Sequence, residues 1–133
     1  MSYSLNIELK EQYLHVTVSG ENTLANVLSY LEEAYEACIK HRCSNVLIEK
    51  LLTGPNLDTF DIFVVISKNF NKAKTISLRL AYVDMNTKHI KRELKFAENL
   101  AHIRGVNVRF FYGDHVTTQE AVTWLLDHKT NHV

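Results

Sequence analysis

The hydrophobic period of this chain switches from two to 3.6 at residue 23 and then keeps alternating, and nothing else in the sequence narrows the possible folds as much. Ser4 to Lys10 sets Leu5, Ile7 and Leu9 against Asn6, Glu8 and Lys10, the pattern of a strand with one wet face. Glu11-Gln12 makes a tight turn, and Tyr13 to Ser19 alternates again, with Leu14, Val16 and Val18 opposite Tyr13, His15 and Thr17. The two runs predict a β-hairpin that ends at Gly20.

From Thr23, a helix cap by residue type, Leu24, Val27, Leu28, Leu31, Tyr35, Cys38 and Ile39 fall on one stripe, and Glu32, Glu33 and Glu36 face away. Asn45 to Lys50 carries the β-branched run of a strand covered on both faces, and Gly54-Pro55 follows. Leu57 to Phe70 suits either a buried helix or a strand. Its length and the lack of a hairpin turn after it favour a helix capped by Asp58 or Thr59. Ser77 to Asp84 is the next strand. Thr87 to Arg104 is a helix with Ile90, Leu94, Ala97, Leu100, Ala101 and Ile103 inward, stopped by Gly105. Val106 to Phe111 is the last strand, Gly113 and Asp114 turn the chain, and Thr117 with Glu120 forms a capping box for a final helix that buries Ala121, Trp124 and Leu125.

The order β-β-α-β-α-β-α-β-α makes this an α/β chain with a mainly parallel five-stranded sheet, because a strand reached through a helical crossover returns in the same direction. The opening strand is expected at one edge, antiparallel to its hairpin partner, with later strands added in chain order. The 133 residues read as a single domain, 1-133. Fifteen basic and fifteen acidic side chains cancel, so no global field draws in nucleic acid or an anionic membrane. No run approaches the ~18 apolar residues of a membrane span, and the N-terminus carries no leader pattern, which predicts a cytoplasmic protein without an integral membrane segment. Cys38 and Cys43 read as reduced thiols.

Three stretches, Leu14-His-Val-Thr-Val-Ser-Gly20, Phe96 to Phe111 and Glu120-Ala-Val-Thr-Trp-Leu125, together with the element order, give the sequence a resemblance to the STAS domain. That is the fold of bacterial anti-sigma-factor antagonists, and the likeness is nearer still to the SpoIIAA-like (STAS/SEC14-type) group of small bacterial proteins. In the antagonists an Asp-Ser-Ser-Gly motif opens the helix after the third strand, and a kinase-type partner phosphorylates one of its serines. Here the matching stretch is Asp58-Thr59-Phe60-Asp61: Asp58 agrees, Thr59 falls where the first serine would be, and Phe60 replaces the usual acceptor. The resemblance implies a non-catalytic, regulatory interaction module with a protein partner or self-association. Its SEC14 side implies a small apolar, lipid-like ligand.

The candidate residues follow from that reading. Thr59 is the phosphoacceptor candidate, although an ordinary cap is the commoner use of such a residue. Leu51, Leu52 and Leu57 in the loop, with Asp58, Thr59, Phe60, Phe63 and Phe70, supply more apolar surface than one helix face needs and form the expected ligand or partner surface. Lys88, Lys91, Arg92 and Lys95 make a basic stripe with Arg104 after it, for which Glu32, Glu33 and Glu36 are a possible complement in a dimer. Cys38, His41 and Cys43 lack a second ligand pair, and His128 and His132 lie in a terminal tail, so neither metal nor cofactor is expected. Glu98 and His102, with Asp84 near them, are the one combination suited to a small enzyme, and they are also a routine i,i+4 pair.

Overall fold

The hairpin closes where Lys10 N–H donates to the Tyr13 carbonyl at 2.8 Å. The computed structural model describes residues 3–86, 88–89, 91–113 and 115–127. Its elements are β1 (Tyr3–Leu9), β2 (Leu14–Glu21), α1 (Leu24–His41), β3 (Asn45–Thr53), α2 (Thr59–Thr75), β4 (Arg79–Asp84), α3 (Lys91–Ile103), β5 (Asn107–Tyr112) and α4 (His115–Leu126). The five strands lie in the order β1-β2-β3-β4-β5, with β1 antiparallel to β2 and every later pair parallel. The expected sheet is therefore the observed one.

A right-handed crossover that always steps in the same direction along a sheet puts its helix on the same face each time. Helices α1, α2 and α3 accordingly share one face, above Leu14, Val16 and Val18 of β2 and the inward residues of β3, β4 and β5. The alternate residues Leu47, Ala81, Val83 and Phe111 face the other way and are covered by Ala121 and Leu125 of α4. Each such aliphatic side chain, once fully buried, contributes roughly 1.5–3 kcal/mol against the entropy of ordering the chain.

The segment left between helix and strand by its composition is helical as α2, and its cap is Asp58, whose carboxylate accepts from Asp61 N–H at 2.8 Å. Thr23 caps α1 by accepting from Asn26 N–H at 3.2 Å. Gly105 ends α3 with φ +82°, a value open to glycine at little cost.

Four expectations are corrected. β3 runs on to Thr53, so Leu51 and Leu52 belong to the strand rather than to a loop. Ile39 and Ile103 are exposed, because each lies in the last turn of its helix, rotated off the buried stripe. The helix expected from Thr87 begins at Lys91; Thr87 itself and Ile90 lie outside the described residues, as do Asp114, His128 and His132. α4 begins at His115, two residues before the anticipated cap. Thr117 donates its hydroxyl to the Tyr112 carbonyl at 3.1 Å and Glu120 is exposed, so no capping box forms.

Candidate functional site

Strands β2, β3 and β4 bring their carboxyl ends to one rim of the sheet, the rim at which open α/β sheets hold ligands. On the three-helix face of this rim stand Lys50 of β3 and Asp84 of β4, paired in register. Asp84 Oδ2 lies 2.7 Å from His89 Nδ1 and 3.6 Å from Lys50 Nζ, and Oδ1 accepts from Asn86 N–H at 3.0 Å. His89 Nε2 lies 2.9 Å from the Gly54 carbonyl, and Asn86 Nδ2 donates to the Leu52 carbonyl at 2.8 Å. These bonds tie the β4–α3 connection to the β3–α2 connection. Gly54 suits the corner, since its φ of +91° strains any residue with a β-carbon.

One carboxylate thus faces two basic side chains. Lys50 is only 5% exposed, and its ammonium also sits 5.0 Å from the ring centroid of Tyr82. Burial pushes the Lys50 ammonium below the usual lysine range, and Asp84 acts against that shift. The hydroxyls of Tyr30 and Tyr82 hydrogen-bond nearby, and burial drives the Tyr30 phenol upward, reinforced by the Asp84 charge.

Beside this cluster a cavity of about 100 Å³ runs beneath α2. Its floor is Leu80, Tyr82, Val108 and Phe110, with the rings of Tyr82 and Phe110 stacked at 5.0 Å. Ile62, Val65, Ile66 and Phe70 of α2 form the roof. The void has a packing cause: α2 rests on α1 and α3 like a plank, and its backbone makes little approach to the strands below. At the rim end Asn22 lines the cavity beside Lys50. Its Nδ2 donates to the Pro55 carbonyl at 2.9 Å, and its buried Oδ1 has no hydrogen-bond partner among the described residues.

The residues expected to form one ligand or partner surface are divided by the structure. Leu52 is buried in the core, Leu51 emerges on the opposite face of the sheet, and Leu57 and Phe70 line the cavity. Phe60 and Phe63 point outward from α2, 73% and 40% exposed. Arg104 at the end of α3 lies over Phe63 at 6.0 Å and Phe70 at 5.1 Å, joining the two helices at the surface. Asp58 and Thr59 are exposed at the start of α2.

The basic stripe is partly neutralised within the chain. Lys95 bonds Glu98 at 2.7 Å, Arg92 lies 3.7 Å from Glu93, Lys91 sits over the Tyr112 ring, and Lys88 precedes the helix. Lys72 bonds both oxygens of Glu32 at 2.7 Å, and Tyr3 donates to Glu33, so two of the acids suggested as a dimer complement are engaged internally. Glu98 and His102 do not pair with each other. Glu98 accepts from Phe110 N–H at 2.8 Å, and His102 Nε2 lies 2.6 Å from the Val108 carbonyl. Both side chains cover the outer edge of β5, a position that removes an open strand edge rather than building a reactive site. Cys38 is buried, and burial pushes its thiol up to about 12.

Sequence reasoning passed over Lys50, His89, Asn22 and Asn86. The signal for the first was present: Val46 to Ile48 leads into Glu49 and Lys50, Leu80 to Val83 leads into Asp84, and the parallel register sets Lys50 beside Asp84.

The fold can now be compared with known ones. The solved structure of a serine-to-glutamate variant of RsbS from Moorella thermoacetica aligns with 91% of this chain and 96% of its own, with a TM-score of 0.54 at 15% sequence identity. The chain has the STAS fold. No family model matches the sequence, and no curated protein matches it. No helix among the described residues of this STAS-fold chain is long and apolar enough to cross a membrane.

Proposed function

We propose that this STAS-fold chain is a non-catalytic regulatory module that meets a protein partner through the outer face of α2. The observation that carries the reading is the pair of rings at Phe60 and Phe63, presented to solvent on a helix whose own core contacts do not require them. Aromatic side chains beside an arginine are the anchors from which interfaces are built, and Arg104 stands beside Phe63 and Phe70. The family resemblance, in which this helix start carries the regulated motif, supports the same surface. Thr59, exposed as the first residue of α2, is the place where phosphorylation would act on it. The new charge would meet the helix N-terminus favourably and the Asp58 and Asp61 carboxylates unfavourably.

Native mass spectrometry of the full chain isolated from its own host tests this. The expected result is a defined complex that the double variant Phe60→Ser, Phe63→Ser abolishes while its circular dichroism spectrum stays that of the folded chain. An identical complex in the variant refutes the surface. A second reading, a binder of a small apolar ligand, is favoured by the cavity beneath α2.

A further inference from the structure

We infer that the cavity beneath α2 is a binding site for a small monocarboxylate with an apolar tail, whose carboxylate pairs with Lys50. The inference rests on the ligand-binding reading of this cavity and names the ligand class; it is independent of what the outer face of α2 meets.

Three observations converge on that chemistry. The first is charge count. Lys50 and His89 are directed at the single carboxylate of Asp84, and His89 holds the shared oxygen at 2.7 Å while Lys50 stands off at 3.6 Å. An ammonium carries three N–H groups, and a buried one without good acceptors is costly, so a second carboxylate at this point supplies what the protein alone does not. The second is the unpartnered Oδ1 of Asn22, a residue only 9% exposed, at the same end of the cavity. It asks for a donor, which the carboxylate does not carry and a water bound with it provides. The third is shape. Apart from Lys50 and the amides of Asn22, Asn56 and Asn69 the walls are aliphatic and aromatic, and about 100 Å³ is somewhat less than the ~150 Å³ of an apolar protein cavity that holds benzene. A three-carbon tail in the void, with its carboxylate at Lys50, fits that space.

The arrangement also explains how such a site stays available. A void beneath a well-packed helix would collapse at little cost if the helix could drop onto the sheet. Here α2 is held up on both sides, and Lys72 clamps it to Glu32 of α1.

The test titrates the isotope-labelled full chain with sodium butyrate, butanol and butylamine, and follows the amide resonances of Leu80, Tyr82 and Val108. Butyrate is expected to give saturable shifts there, with at least tenfold tighter binding than either isostere, and Lys50→Met is expected to lose at least tenfold in butyrate affinity. Butanol or butylamine binding as tightly as butyrate, or an unaltered affinity in Lys50→Met, overturns the carboxylate assignment and leaves an apolar cavity. Absence of saturable shifts with all three overturns the ligand-binding reading as well. Should Lys50→Met fail to fold, Ala97→Leu decides the location. It fills the cavity from α3 and must abolish the butyrate shifts; persistence of those shifts places binding elsewhere and sinks the proposal.

Discussion

Among the described residues one lysine and one arginine are buried, on opposite faces of one sheet, and the fold treats them differently. Arg79, at the start of β4 and 5% exposed, lies under α4. Its Nε donates to the Leu125 carbonyl at 3.1 Å and its Nη2 to the Trp124 carbonyl at 2.6 Å, with the guanidinium 3.9 Å from the Trp124 ring centroid. These carbonyls belong to the last turn of α4, where a helix has orphan acceptors and the negative end of its dipole. Arg79 and the helix end therefore satisfy each other. Lys50, at the other end of the neighbouring strand, has one long carboxylate contact, an aromatic face and an adjacent void. A buried charge held by two short hydrogen bonds and a ring face is a structural fastening, whereas one held by a single long contact beside a cavity marks a place where something else completes it.

The largest expected effect tests the first half of that contrast. Arg79→Leu strands the Leu125 carbonyl, leaves the Trp124 carbonyl only the Asp127 N–H at 3.3 Å, and removes the stack on Trp124. At ~1–3 kcal/mol per buried unsatisfied group it is expected to lose about 2 kcal/mol of stability in chemical denaturation. A loss below about 0.5 kcal/mol, the size of an ordinary surface substitution, would break the comparison from this side.

Lys50→Met is expected to have a much smaller effect. The substitution removes a desolvated ammonium and keeps an unbranched apolar stem of similar length. Asp84 retains His89 and the Asn86 N–H. Removing one partner of a buried ion pair costs ~3–5 kcal/mol where it strands the other charge, but Asp84 keeps two partners and the ammonium removed is held by one long contact, so a change of less than about 1 kcal/mol is expected. A loss as large as that of Arg79→Leu would make Lys50 a fastening too, and the asymmetry between the faces would vanish.

How much of this was legible beforehand differs between the two faces. The hairpin, the crossovers and the strand order follow from the period changes, because a right-handed crossover leaves little choice of topology. Helix α2 was legible as a helix, and its excess of apolar residues was legible as an excess. Its position was not: Val65, Ile66 and Phe70 carry the same pattern whether a helix packs on a sheet or spans two neighbouring helices. His89 was masked by its setting among Lys88, Lys91, Arg92 and Lys95, which read as a solvated face. Thr117 and Glu120 had the spacing of a capping box, but spacing alone does not place the first turn, and the Tyr112 carbonyl competes for the Thr117 hydroxyl.

The smallest effect sharpens the contrast through pH. Burial holds the Cys38 thiol up at about 12 against an unfolded value near 9.0, so above pH 9 the unfolded chain releases this proton first and stability falls as pH rises. Tyr30 and Tyr35, also raised by burial, add to the fall above their unfolded value of 10.0. Lys50 works the other way. Its folded pKa lies below the unfolded 10.5, so between the two the unfolded chain binds the extra proton and stability gains as pH climbs. In the wild type the trends oppose, and melting temperature is expected to decline shallowly from pH 8.5 to 10. Lys50→Met removes the compensating gain and should steepen the decline, while Cys38→Ala should delay its onset toward pH 10. Parallel pH profiles for the wild type and Lys50→Met would mean that Lys50 titrates alike in folded and unfolded chains. That result would mean that its contacts in the folded chain already offset its burial and leave little for a ligand to supply.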